Sequence, residues 1–574
     1  MSLTPELSPK PRLLIVGGGY AGFHVARELQ KKVAERGGVV TVVDPRPYMT
    51  YYPFLPEVVG GHIEGRHVNV DLQTHLKDAE VVRGAVVSVD HAGRTAVVRG
   101  EGGDEFEIPY QDIVMTAGAV TRVFPIPGLG EQGIGLRSVE EAVQLRNQIL
   151  ERLDAAAAMG FDVVYLPPIH PIGTAFRKGK DNTLNPGPDD PGSPWAIGSS
   201  DGGHDTIHPD LGTFDDLDRF VAHAHDLGME VALDFALQAS PDHPWVHQHP
   251  EWFTTRVDGT IAYAENPPKK YQDIYPINFD NDPDGIYQEC LRLLELWISH
   301  GVTIFRVDNP HTKPLNFWAW LMEQVHRRHP EVIFLAEAFT RPEMMAALGK
   351  VGFQQGYSYF TWRTTKWELE AYLDEVSHQT SHFYRPNFFV NTPDINPIYL
   401  NDGNPAGFAI RAILAATMSP SWGMYSGFEI CEHEPLPGRE EYAHSEKYEY
   451  RPRDYDSEPN ITLLVTRLNE IRRAHPALQQ LRDTTIHHAP HDNVFVFSKK
   501  AGNDVVIVVT SLDPVWGVES QIMLDMAALG FGNDDTFTVH DELTGADFTW
   551  GQQAFVRLYP AQPAHILHVR KTTS

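Results

Sequence analysis

From Met159 onward, short apolar runs alternate with longer amphipathic stretches, and that alternation confines the chain to a parallel α/β architecture. The runs lie at 161–166, 230–235, 302–307, 332–336, roughly 352–359, 387–390 and 423–425. In a barrel built from such units, chemistry gathers where the strands end. Asp308, Glu337 and Asp394 stand at three of those ends, and Asp234 closes a fourth in Val231-Ala232-Leu233-Asp234. One acid at a strand end is a common helix cap. Four on separate strands, one of them behind Arg306, are costly to bury without a use. They predict carboxylate catalysis.

Residues 1–155 follow a different pattern. An apolar run at 13–16 enters Gly17-Gly18-Gly19-Tyr20-Ala21-Gly22, a helix-like stretch covers 23–32, and a second apolar run at 39–43 ends in Asp44. That order is strand, G-x-G-x-x-G, helix, strand, acid. Gly17 permits a tight turn, Gly19 lets a pyrophosphate approach the backbone, and Gly22 lets the helix pack closely on the strand. The helix N-terminus then faces the phosphates, and Asp44 can bond an adenosine ribose. A Rossmann-like dinucleotide-binding fragment is expected, with no second glycine fingerprint after a later strand.

Composition breaks at the same place. Residues 1–155 carry 16 Lys/Arg and 20 Asp/Glu, the remainder 31 and 56, and all 11 tryptophans lie at or beyond Trp195. Two evolutionary sources explain this better than one. The net charge of −29 argues against nucleic acid or an anionic membrane as partner. No apolar run reaches the roughly 18 residues of a membrane span, and the first ten residues lack a signal core. Cys290 and Cys431 are too few for a disulfide framework or a cysteine metal site, so a cytoplasmic setting without a bound metal is expected. Beyond about 480, alternating runs at 493–498 and 505–510 flank a turn at Gly502-Asn503-Asp504 and predict a C-terminal β-sandwich. Three domains follow, at 1–155, 156–480 and 481–574, with 179–203 as a long loop over the site.

Two resemblances sharpen these expectations. Tyr51-Tyr52-Pro53-Phe54-Leu55-Pro56-Glu57-Val58 and Asp112-Ile113-Val114-Met115-Thr116-Ala117-Gly118-Ala119 resemble the flavin-binding start of type II NADH dehydrogenases, FAD-dependent pyridine nucleotide-disulfide oxidoreductases. The resemblance covers about residues 10–155 and implies FAD at Gly17, Gly19, Gly22 and Asp44. It stops before any nicotinamide-binding part, so NADH oxidation is not expected. In the second half, Arg306-x-Asp308, Glu337 and Asp394 resemble the nucleophile, acid/base and transition-state acid of the α-amylase superfamily. Gln238-Ala239 replaces that superfamily's usual Asn-His, and Pro393 replaces the His before its last acid. Together with Ser240-Pro241-Asp242-His243-Pro244-Trp245 and the stretch 305–314, these departures resemble the α-1,4-glucan:maltose-1-phosphate maltosyltransferases, from about 157 to the C-terminus.

That resemblance implies a retaining double displacement. A maltosyl unit would pass from maltose 1-phosphate to the 4-hydroxyl of an α-1,4-glucan such as glycogen, with release of phosphate and no cofactor. Asp308 would be the nucleophile with Arg306 beside it, Glu337 the acid/base and Asp394 the transition-state acid. Asn266, Lys269, Tyr271 and Asn309 would hold phosphate; Lys178, Asp234, Gln238, Lys447 and Tyr448 would hold sugar. A homodimer is implied as well. The family's strand corresponding to 161–166 is the second of eight, however, and only seven can be counted here. A barrel lacking its first strand exposes two unpaired edges. A helical stretch at 138–158 spans the junction, its Val143, Ile149, Leu150 and Leu153 suitably spaced to serve as the barrel's first helix. Two alternatives stand beside the transferase: an FAD-dependent oxidoreductase from the first part, and an inactive fusion of two truncated fragments.

Overall fold

Glycine geometry shapes the first of two compact units, Met1–Arg152 and Leu153–Ser574. Gly17 has φ +100°, and a Cβ there would sit 2.3 Å from the Thr116 carbonyl oxygen; one at Gly22 would sit 1.8 Å from that of Gly17. Only glycine lets the Tyr20–Glu35 helix lie so close to the Arg12–Val16 strand. The computed structural model describes residues 8–55, 65–100, 103–117, 152–188, 190–266 and 269–570. A six-stranded sheet runs in the order Glu105–Pro109, Thr95–Gly100, Ala79–Asp90, Val39–Asp44, Arg12–Val16, Asp112–Met115. Its last four strands are parallel and Rossmann-like, and the long Ala79–Asp90 strand turns the other edge antiparallel. Along Arg12–Val16, Leu14 and Val16 face one apolar cluster and Ile15 another, the period of two that a doubly covered strand requires. The expected strand 112–119 ends earlier, at Met115, and the expected helix 23–32 lengthens to Tyr20–Glu35. Residues 56–58, 118–119 and 138–151 lie outside the described residues.

The second unit opens with the helical residues 153–158, where Leu153 is buried among Leu217, Val221 and Val231. Seven parallel strands follow. Across the sheet they run Ser421–Gly423, Pro386–Phe389, Gln355–Tyr357, Ile333–Glu337, Ile304–Asp308, Glu230–Phe235, Val163–Leu166. All seven expected strands are present, with bounds shifted by up to three residues; Asp234 proves penultimate in its strand rather than terminal. The crossover helices carry local start signals. Thr213 and Asp216 form a reciprocal capping box before Phe214–Asp226, and Asp282 caps Pro283–Ser299 ahead of a first-turn proline. The Pro405–Met418 helix, mostly apolar apart from Arg411 and Thr417, is buried on all sides, because the C-terminal sheet covers the side the barrel strands do not.

That C-terminal region is a sandwich of a six-stranded and a two-stranded antiparallel sheet. Val494 and Val496 point into the space between them, while Phe495 and Phe497 point toward the barrel helices. The expected hairpin pairs Ala501 with Asp504, and Gly502 supplies the positive φ at its tip.

The barrel is open. Among the described residues, neither the outer edge of Val163–Leu166 nor that of Ser421–Gly423 pairs with a further strand. The Thr462–Ala474 helix fastens the two edges where they begin. Asn469, buried, donates from Nδ2 to the Met159 carbonyl at 2.9 Å and accepts from Trp422 Nε1 at 2.9 Å. Arg473 Nη2 reaches Asp162 Oδ1 at 2.7 Å, Arg472 donates to the Pro420 carbonyl, and the Phe161 and Trp422 rings lie 5.5 Å apart. Replacing Asn469 with the isosteric Leu leaves a buried carbonyl and a buried indole N–H unpaired, each costing about 1–3 kcal/mol. The urea midpoint of Asn469→Leu should fall accordingly; an unchanged midpoint would mean the edges are held elsewhere.

Candidate active site

Strand register brings the acids together. The Ile304–Asp308 strand lies between Glu230–Phe235 and Ile333–Glu337, with Arg306 opposite Asp234 on one side and Asp308 opposite Glu337 on the other. Arg306 and Asp308, two apart, project to the same face. Arg306 is buried and donates from Nη1 to Asp234 Oδ2 at 2.5 Å and to Asp308 Oδ1 at 3.0 Å, while its Nη2 stands 3.5 Å from Glu337 Oε1. Tyr165 donates its hydroxyl to Asp234 Oδ2 at 2.6 Å. The rings of Tyr165 and Tyr357 flank the guanidinium at 5.9 and 5.8 Å.

The surroundings set the charge states. Burial pushes Glu337 up to about 8, against the pull of Arg306 and with the help of Asp308 and Asp394. Burial also raises Asp234 to about 6, again opposed by Arg306. Burial works against the Arg306 cation, but Asp234, Tyr165, Glu337 and Asp308 outweigh it and hold the guanidinium charged. Asn309 adopts the left-handed conformation at φ +43°, which turns its N–H to Glu337 Oε2 at 3.1 Å and leaves its Nδ2 3.4 Å from Asp308 Oδ2. Lys313 Nζ lies 3.5 Å from the carbonyls of Asp308 and Asn309.

A second group forms around Trp195. Lys447 donates to Asp394 Oδ1 and stands 5.4 Å from the Trp195 ring and 5.8 Å from that of Tyr448. Gln238 Nε2 donates to the Trp195 carbonyl at 3.3 Å, and Tyr271 packs in the Trp195 and Ile274 cluster. Lys178, also buried, donates to Gln272 Oε1 at 2.6 Å. Burial raises the pKa of neighbouring Asp273, against the charges of Lys178 and Lys447. Asp394 links the two groups, since its charge is one of those raising Glu337. Three buried polar atoms, Asp234 Oδ1, Asp273 Oδ1 and Trp195 Nε1, have no hydrogen-bond partner among the described residues. Orphans of that kind are rare in folded proteins and suit a hydroxyl-rich ligand. Asn266 and Lys269 pair through their backbones in a short hairpin, Ala264–Asn266 with Lys269–Tyr271; their side chains lie outside the described residues.

The sequence pattern missed Tyr165, Tyr357, Lys313 and Asp273. The two tyrosines sit mid-strand, where only register says which face they take. Asp273 had a signal, an acid two residues beyond Tyr271 in the same Lys-rich insertion.

The glycine loop of the first unit has its own geometry. Space around a Gly19 Cβ is open for 4 Å, and the Gly18 N–H donates to Asp44 Oδ2 at 2.6 Å. An open approach at a helix N-terminus, with an acid at the second strand's end, fits a dinucleotide pyrophosphate.

Two outcomes are expected from this arrangement. Arg306→Leu removes the cation from three buried carboxyl groups and should cost about 3–5 kcal/mol in chemical denaturation. A loss under 1 kcal/mol would mean the carboxyls are neutralised some other way. The second concerns pH. Glu337 keeps its proton in the fold to about 8, whereas an ordinary glutamate releases it near 4.5. Between those values the native state binds more protons than the unfolded chain, so stability falls as pH rises. Asp234 contributes a similar slope between its ordinary 3.8 and about 6. Glu337→Gln should therefore flatten the decline, most visibly between pH 6 and 8; urea midpoints that fall as steeply as in the parent protein would contradict the assignment.

Comparison with known proteins agrees with both halves. The family model described as pyridine nucleotide-disulphide oxidoreductase matches residues 11–159, and the one described as GLGE, C-terminal, matches residues 486–569. Alpha-1,4-glucan:maltose-1-phosphate maltosyltransferase 2 of Streptomyces coelicolor is 59% identical over 429 residues, 74% of this chain and 64% of its own length. The maltosyltransferase of Mycolicibacterium smegmatis is 57% identical over 425 residues, 73% of this chain and 61% of its own. The chain thus spans under two thirds of the length of these relatives. Among solved structures, the maltogenic α-amylase AmyB of Thermotoga neapolitana has a TM-score of 0.59 at 20% identity, covering 74% of this chain and 94% of that one, a likeness of fold. About three quarters of the chain is therefore homologous to the α-1,4-glucan:maltose-1-phosphate maltosyltransferases, and a segment similar to the pyridine nucleotide-disulphide oxidoreductases precedes it.

Proposed function

We propose that the second unit transfers a maltosyl group from α-maltose 1-phosphate to the 4-hydroxyl of an α-1,4-glucan, with release of phosphate and retention at the anomeric carbon. The observation that carries this reading is the single buried guanidinium of Arg306 in contact with Asp234, Asp308 and Glu337 at adjacent strand ends. The substrate names come from the relatives at 55–59% identity.

In this reading Asp308 attacks the anomeric carbon as the bond to the phosphate oxygen breaks, forming a glycosyl ester. Glu337, protonated to about pH 8, delivers its proton to the departing phosphate. The resulting carboxylate then takes the proton of the glucan 4-hydroxyl as that oxygen displaces Asp308. Two inversions restore the α configuration. Asp394, held by Lys447, bonds sugar hydroxyls as positive charge develops on the ring. Asp234 Oδ1 and Asp273 Oδ1, unpartnered among the described residues, accept from further hydroxyls, with Lys178, Gln238 and Tyr448 beside them. Asn266, Lys269, Tyr271 and Asn309 take the phosphate, which amide, ammonium and phenol donors suit. No cofactor enters this chemistry.

In the first unit, Gly17, Gly19, Gly22 and Asp44 would hold the pyrophosphate and ribose of FAD, which when bound supplies redox chemistry. Among the described residues no helix is long and apolar enough to cross a membrane; a cytoplasmic homodimer is the form proposed.

The test is phosphate release from maltose 1-phosphate in the presence of glycogen. Asp308→Ala should reduce release to background, and Glu337→Gln should slow it about 10²–10⁴-fold. In Glu337→Gln, mass spectrometry should find one maltosyl group on the peptide containing Asp308. No phosphate release from a cooperatively folded protein would overturn the reading and leave the fused, inactive alternative. A purified protein that carries visible flavin absorption would support FAD in the first unit, and a colourless one would reject it.

A further inference from the structure

Away from the acids at the strand ends, a cluster forms where the Thr462–Ala474 helix ends against the C-terminal sheet. His475 caps that helix, Glu542 follows the Phe537–Asp541 strand, and His568 lies on Ala564–Arg570. One donor atom from each lies within 4.8 Å of the other two. The rings of His475 and His568 are 4.6 Å apart.

Each contact in the cluster is oriented from behind. His475 Nδ1 is 3.0 Å from Asp504 Oδ1, and Asp504 is anchored because its Oδ2 accepts the Ala477 N–H at 2.8 Å. With Nδ1–H engaged, the lone pair of His475 Nε2 is left for another partner. That nitrogen stands 3.4 Å from Glu542 Oε1, longer than an N–H···O hydrogen bond. Two ligands about 2.1 Å from a tetrahedral ion sit about 3.4 Å apart, so the spacing matches a pair of metal ligands. Glu542 is held too: Arg467 Nη2 donates to Oε2 at 3.1 Å, and Nε and Nη2 of Arg467 bond its carbonyl at 2.9 and 2.8 Å. His568 Nε2 is 3.5 Å from Asp504 Oδ1. Arg467 and Arg570 are the cations facing the cluster, and Asp504 and Glu542 the anions.

We propose that His475, Glu542 and His568 bind one divalent transition-metal ion of the zinc type, clamping the helix that joins the barrel edges to the C-terminal sheet. Two imidazoles and a carboxylate are a ligand set for zinc, with a fourth position open to water. The side chain of His568 is 31% exposed, enough for an ion to enter and for the ring to close the remaining gap. Asp504 and Arg467 act from the second layer, fixing the ring of His475 and the carboxylate of Glu542.

The test uses the whole chain, treated with chelator and dialysed, then titrated with zinc chloride by calorimetry, with Co²⁺ as an optical probe. One zinc per chain should bind with a rise in melting temperature, and Co²⁺ should give a tetrahedral absorption spectrum. His568→Ala and Glu542→Gln should abolish the tight phase, and Asp504→Asn should weaken it about 10–100-fold. Metal-free melting of each variant reports whether it folds, and Asp504→Asn keeps the test open should a ligand variant fail to. Absence of saturable zinc binding would leave His475 as an ion-pair partner of Asp504 and Glu542 and overturn the proposal. Equal zinc affinity in parent and variants, with the ion held among others of the 28 histidines, would overturn it as well.

Discussion

Three carboxyl groups at neighbouring strand ends cannot be buried together without a cation, and Arg306 is that cation. Its guanidinium is planar, always charged and forked, so one side chain reaches Asp234, Asp308 and Glu337 from the middle strand of three. Against its pull, burial lifts Glu337 to about 8 and Asp234 to about 6. Burial opposed by one shared charge thus sets chemically similar groups apart, the pattern by which a site carries both a nucleophile and an acid. The rings of Tyr165 and Tyr357 flank the same cation.

That hub depends on a sheet that, among the described residues, has two unpaired edges. The acids are carried by three central strands, each paired on both sides, whereas the edges unpaired among the described residues fall at Val163–Leu166 and Ser421–Gly423. Tyr165, which bonds Asp234, comes from one of those edge strands. The Thr462–Ala474 helix restrains the strands where they begin, through Asn469, Arg472 and Arg473, and the C-terminal sheet backs the Pro405–Met418 helix behind them. The C-terminal sandwich is in this sense part of the barrel's support. The proposed zinc site lies at that same seam.

The periodicity of the chain was enough to locate all seven barrel strands, because each is a run of apolar residues ended by a turn or an acid. It was also enough to place Asp308 and Glu337 at strand ends and the glycine loop between strand and helix. It misjudged bounds where ladders are short, as at Gln355–Tyr357, since pairing with neighbours and not composition decides where a strand stops. Tyr165 and Tyr357 escaped notice because a mid-strand tyrosine reads as core until its register is known. Asp273 escaped because loop residues carry no period at all.

By itself, then, the sequence determined the local identities: which segments are strands, which acids end them, which glycines admit a close backbone. Those follow from sterics and from apolar spacing within a few residues. Only the tertiary structure decided that Arg306 serves three acids rather than one and that Glu337 is the one holding a proton. It also decided that a distant helix ties together the first and last of the seven described strands. Each of these depends on distances between residues far apart in the chain, where burial and electrostatics are set by packing.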